Sequence, residues 1–100
     1  MAEYKNEPLG VSFELPDRVT VRQQLAYRGA VALASQDNTF AIHWKAAQPL
    51  LEKWTCERVP DPAAVDLDEE TDAVVADIVT WTANMAAGHM LALRATPKNS

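Results

Sequence analysis

The sequence predicts an all-α fold: a small three-helix domain preceded by an extended N-terminal arm or short strand. Three observations carry this prediction. Apolar residues recur at spacings of three and four in three separate segments, which is the period of one helical face. A capping box, Thr20 with Gln23, marks the start of a helix. Helix-stopping stretches separate the segments, at 35–38, at Pro60 and Pro62, and at Thr96-Pro97.

Taken in order, residues 1–19 read as an extended arm. The first ten are polar and contain Pro8 and Gly10. Val11-Ser-Phe-Glu-Leu15 alternates apolar and polar, the period of a half-buried strand, and Pro16 ends it. The sequence offers this strand no second one. It is expected to pair with another copy of the chain, giving a homo-oligomer, or to lie extended over the helices.

The helical domain occupies residues 20–96. Helix one is predicted over Thr20–Ala34, with Val21, Leu25, Gly29, Ala32 and Leu33 on its core face. Ser35-Gln-Asp-Asn38 ends it and opens helix two, predicted over Thr39–Thr55. There Phe40, Trp44, Ala47, Leu51 and Trp54 make one apolar stripe. Pro49 lies inside the stripe and predicts a kink or a break, since proline lacks a backbone donor and clashes with the preceding turn.

A proline-rich connector, Val59-Pro-Asp-Pro-Ala-Ala-Val65, leads to helix three, predicted over Leu67–Ala95. At about 1.5 Å per residue it would run roughly 40 Å. Val74, Ile78, Trp81, Met85 and Ala92 form its predicted core face, and Val75, Val79, Met90 and Leu93 a second flank. A helix apolar on two flanks packs against two neighbours, or against one neighbour and a partner. Residues 97–100 read as a frayed tail.

The net charge is −5, and the stretch from Glu57 to Asp77 holds eight acids and one base. Phosphate contacts need clustered Lys and Arg, so nucleic-acid binding is excluded, and so is an anionic membrane surface. No run of about 18 apolar residues predicts a membrane span. The N-terminus lacks a signal-peptide core. The lone Cys56 forbids an internal disulfide and fits a reducing cytoplasm.

No catalytic constellation is read from the residues, and no cofactor motif. Asp66-Leu-Asp-Glu-Glu-Thr-Asp72 resembles the start of a calcium loop, but Thr71 stands where the loop needs glycine and Asp77 where it needs glutamate. The run reads instead as a helix N-terminus, where carboxylates cap free N–H groups and complement the dipole. His43, Cys56 and His89 match no zinc spacing. Cys56 reads as packing rather than as a nucleophile. Gly29 and Gly88 read as marks of close helix–helix contact. The tryptophans read as core, but so small a chain does not easily bury all three. At least one is expected to anchor an interface, which makes Phe40, Trp44, Leu51 and Trp54 the candidate partner-binding set.

The order of these segments resembles a known family. An arm precedes Phe13-Glu-Leu-Pro16 and Thr20-Val-Arg-Gln-Gln-Leu-Ala-Tyr27; a Trp44 helix follows with Pro49-Leu-Leu and Trp54; an acidic connector leads to a Trp81 helix ending in Thr96-Pro-Lys-Asn99. From about Gly10 to Asn99 this is similar to small tail-assembly chaperone proteins of long-tailed bacteriophages. The resemblance implies an all-helical, non-enzymatic protein of the host cytoplasm. Its partner would be the tape-measure protein, a long apolar helical chain kept soluble until tail tubes polymerise around it. Such chaperones are often made in two lengths by a frameshift, and Pro97-Lys98-Asn99 is encodable by a slippery run. Two other readings stand beside it. One is a structural virion protein, such as a head–tail connector or tail-completion protein; the other is a small acidic inhibitor of a host protein.

Overall fold

Val11–Leu15 forms the strand that its alternation requires. Val11, Phe13 and Leu15 are buried, while Ser12 and Glu14 face outward. The computed structural model describes residues 2–32 and 39–95. In it this strand, β2, has a neighbour on each side. β1 (Ala2–Asn6) pairs with it antiparallel, with Tyr4 opposite Phe13, and β3 (Glu52–Cys56) pairs on the other edge, with Cys56 opposite Val11. The sheet order is β1-β2-β3. The fold is therefore mixed α/β, and the all-α prediction is overturned, together with the all-helical expectation that came with the family resemblance.

Two misread segments explain the error. The predicted loose arm is half of a β-hairpin. Its four-residue turn, Glu7 to Gly10, closes with a Gly10 N–H to Glu7 carbonyl bond of 3.0 Å, and Leu9 N–H donates to Asn6 Oδ1 at 3.1 Å. Gly10 takes φ +68°, which glycine adopts without a Cβ clash. The second misread segment is the C-terminal half of the predicted Thr39–Thr55 helix. α2 spans only Thr39–Ala47 and runs into a short 3₁₀ turn at Gln48–Leu50. Pro49 does break the helix. Leu51 is then extended (φ −70°, ψ 127°), and the chain enters β3. Leu51 and Trp54 match helical spacing with Trp44, but they lie beyond the break.

β3 carries one extra residue. Ser12 faces Thr55 and Glu14 faces Glu52, so Lys53 and Trp54 together oppose Phe13. Lys53 absorbs the insertion at φ 52°, a bulge geometry. The bulge sets side-chain parity. It leaves Trp54 and Cys56 on the inner face and Glu52 outside, where an unbroken alternation from Cys56 would turn Glu52 inward. Lys53 also pairs with Glu14 at 3.2 Å on the outer face.

α1 spans Val21–Ala32, and its capping box forms as predicted. Thr20 N–H donates to Gln23 Oε1 at 2.8 Å, and Gln23 N–H to Thr20 Oγ1 at 3.1 Å. Its predicted core face is on the wrong side. Val21 and Leu25 are 72% and 60% exposed, Gly29 and Ala32 are exposed, and Tyr27 is buried instead. Leu33, on that same predicted face, lies outside the described residues, as do 35–38, the end of helix one and the 97–100 tail.

α3 spans Ala73–Ala95, about 34 Å at 1.5 Å per residue. It starts six residues later than predicted, because the acidic stretch forms turns. Asp66 Oδ1 accepts from Asp68 N–H at 3.0 Å, and Asp72 caps the helix through Val74 N–H at 2.9 Å. Of the two arrangements open to a helix with two apolar flanks, α3 shows the one with two neighbours within the chain, α2 and β2. Toward the sheet, Trp81 meets Phe13 edge-on at 5.5 Å and His89 meets Tyr4 at 5.8 Å. The burial is centred differently from the prediction. Val75, Ile78, Val79, Ala83, Ala86 and Met90 are buried, Val74, Trp81 and Met85 only partly so, and Ala92 is exposed. No helix among the described residues is long and apolar enough to cross a membrane.

Candidate partner-binding grooves

α2 divides two surface grooves between its faces. The first lies where α1 and α3 diverge. It has a volume of about 390 Å³ and is lined mainly by apolar side chains, among them Val31, Ala87, Met90 and Leu91. Leu91 is 65% exposed. The polar element is a pair, Tyr27 Oη and His43 Nδ1, 2.9 Å apart with the two rings tilted at 6.0 Å. Burial pushes the Tyr27 phenol above its ordinary pKa, so the hydroxyl keeps its proton. Arg28 and Gln24 stand at the α1 side, joined at 3.5 Å.

The second groove runs along the other face of α2, between that helix and the acidic connector. It consists of two contiguous depressions of about 230 and 580 Å³ that share Ala41 and Leu67. Phe40 (44% exposed), Leu67, Val75 and Val79 supply apolar walls at one end, and Trp44, Ala63 and Val65 at the other. Asp66, Asp68, Glu70 and Asp72 line it as well, against one cation among the described residues, Lys45. Arg58 is bound to Asp72 at 2.6 Å. The Asp72 carboxyl is held below its ordinary range, first by the Val74 N–H and then by Arg58.

These positions locate the predicted partner-binding set. Phe40 is exposed in the second groove. Trp44 is buried beneath it, in edge contact with Trp54 at 6.0 Å. Trp54 is half-buried, stacks on Phe13 at 5.8 Å and donates its indole N–H to the Val59 carbonyl at 2.6 Å. Leu51 is half-buried against the same core. Three of the four are thus packed into the fold, and Phe40 alone reaches the surface fully. Sequence reasoning missed Tyr27, His43 and Leu91. Tyr27 and His43 stand 16 positions apart on separate helices, and no short-range pattern links them.

The remaining chemistry-bearing residues are dispersed. His89 bonds to Tyr4 and to the Pro16 carbonyl, His43 to Tyr27, and Cys56 is buried in β3. Among the described residues no group of three or more His, Cys, Asp or Glu is placed to hold a metal ion. Two buried polar atoms, Trp44 Nε1 and Thr82 Oγ1, have no hydrogen-bond partner among the described residues.

No family model matches the chain, and comparison with curated proteins and with solved structures gave no match. The chain is a three-stranded antiparallel sheet whose third strand follows two helices, backed by one long helix, with the two grooves described above on either side of α2.

Proposed function

We propose that this chain is a non-enzymatic tail-assembly chaperone of a long-tailed bacteriophage, acting in the host cytoplasm to hold a helical segment of the tape-measure protein. The observation that carries the reading is the apolar groove between α1, α2 and α3, with Leu91 left exposed at its edge. An apolar cleft between helices is the complement of an amphipathic helix, whose anchors recur every three or four residues. The segment order that resembles this family adds to it. So does the net charge of −5, which keeps a carrier of apolar cargo from associating with itself.

The test is co-expression with the tape-measure protein of the same genome. The expected result is a soluble complex that Leu91→Asp abolishes while the chain itself stays folded. Stoichiometric recovery of the chain in purified virions, with no effect on tape-measure solubility, would replace this reading with the structural-virion one.

A further inference from the structure

The second groove has a composition of its own, and α2 separates it from the first. We propose that it docks a basic amphipathic helix of another protein, one with an apolar stripe flanked by Lys and Arg. The proposal does not depend on the chaperone reading, because it concerns the opposite face of α2.

The apolar part of the argument is the exposure of Phe40 and Leu67 in one continuous groove. Burying two large apolar side chains is the usual driving force of helix-in-groove recognition. The groove follows α2 from Phe40 to Gln48, about 12 Å at helical rise, which matches two turns of a docked helix. The electrostatic part is the lining of Asp66, Asp68 and Glu70 against Lys45, with Glu69 on the same connector; Asp72 lines it too but is already paired with Arg58. Charges arranged around an apolar strip select a partner with the opposite flanks and repel an acidic one. A third observation lies in the floor. Trp44 lines the groove and packs edge-on against Trp54, so the floor is apolar.

A second copy of this chain is the competing occupant, because α1 exposes Val21 and Leu25 beside Arg22. That face offers two large apolar side chains within one turn of each other. The groove has walls for anchors over two turns, which favours a longer foreign helix.

The experiment uses the whole chain and three synthetic 18-residue helical peptides, read by fluorescence anisotropy at low and high salt. One carries a Leu/Phe stripe flanked by lysines, the second the same stripe flanked by glutamates, and the third the lysines with the stripe scrambled. The first peptide is expected to bind at least tenfold more tightly than either control and to weaken as salt rises. Phe40→Ser and Asp68→Lys are each expected to weaken it tenfold or more, and Leu91→Asp, in the other groove, to leave it unchanged. Equal binding of the scrambled peptide would reduce the surface to unspecific charge and overturn the proposal. Loss of binding on Leu91→Asp would overturn it too, by moving the site to the first groove. Concentration-dependent self-association that Asp68→Lys removes would do the same by making a second copy the occupant. The peptide comparison stands even if a variant fails to fold.

Discussion

Tyr4 and His89, 85 positions apart, meet through Oη and Nδ1 at 2.8 Å and tie the first strand to the long helix. The other ring nitrogen, Nε2, lies 2.6 Å from the Pro16 carbonyl oxygen. A carbonyl only accepts, so Nε2 carries the hydrogen, and in the neutral ring Nδ1 accepts from the tyrosine. Burial, and to a lesser degree the Asp17 carboxylate, pushes the Tyr4 phenol above its ordinary pKa, which keeps it a donor. Nitrogen NMR of the neutral ring should therefore show the Nε2–H tautomer for His89. Tyr4→Phe removes the donor and should cost about 1 kcal/mol in denaturant melts. An Nδ1–H tautomer would contradict the arrangement.

Phe13 is the centre of the aromatic cluster, with Tyr4 at 5.6 Å, Trp54 at 5.8 Å and Trp81 at 5.5 Å between ring centroids. It is fully buried, whereas Trp81 is half-buried. Phe13→Ala should cost about 3–5 kcal/mol, and Trp81→Ala less, roughly 1–3 kcal/mol, despite its larger side chain. Urea melts of the two variants give the order. A larger loss for Trp81→Ala would move the centre of the core from the sheet to the helix.

The outward turn of α1 has a direct measure. Leu25→Gln should change stability by less than about 0.5 kcal/mol, since the side chain already faces water. Thr20→Ala should cost about 1 kcal/mol, because it frees a backbone donor at the helix start. Hydrogen exchange should place that second loss in the first turn of α1. A large penalty for Leu25→Gln would show that the stripe is covered in solution.

Asp72 makes the start of α3 sensitive to acid. Its carboxyl titrates below the ordinary range because the Val74 N–H and then Arg58 favour the ionised form. A group depressed in this way stabilises the fold above the ordinary carboxylate pKa. The contribution is lost as pH falls through the lowered value. The melting temperature should therefore drop on the acid side. Asp72→Asn, which still caps but does not titrate, should flatten that part of the profile. Thermal melts between about pH 2 and 6 decide it. An unchanged acid limb in the variant would assign it to other carboxylates.

Legibility in the sequence followed the strength of each local signal. The alternation of Val11–Leu15, the Thr20–Gln23 box and the helix break at Pro49 could all be read, because each rests on neighbours within a few positions. β1 could not, because Tyr4 is the sole large apolar residue among Ala2–Asn6 and shows no period by itself. β3 was hidden by coincidence. Trp54 falls ten residues after Trp44 and mimics a helical face, and the bulge at Lys53 breaks the two-residue period that would have marked the strand. The direction of α1 was illegible for a different reason. Both its faces carry apolar side chains, and tertiary packing chose the one with Tyr27. Of the proposed partner residues, Phe40 was visible by spacing. The acids opposite it were visible as a charge run, but their place beside α2 depends on the path of the connector.

The late arrival of β3 has a consequence for synthesis. The β1–β2 hairpin closes locally, and such hairpins form within microseconds but are marginal by themselves. About 40 residues separate the end of β2 from the end of β3, and the helix that covers the sheet comes later still. At the usual ribosomal pace of about 5–20 residues per second, roughly 2–8 seconds pass before the third strand has even been made. Until then β2 has no partner for its second edge and no helix over Val11, Phe13 and Leu15, and an unpaired strand edge is the feature that favours pairing with another chain. The sheet can be completed only after translation has passed β3, and covered only after α3, so the hydrophobic layer is assembled well after its first hairpin has been made.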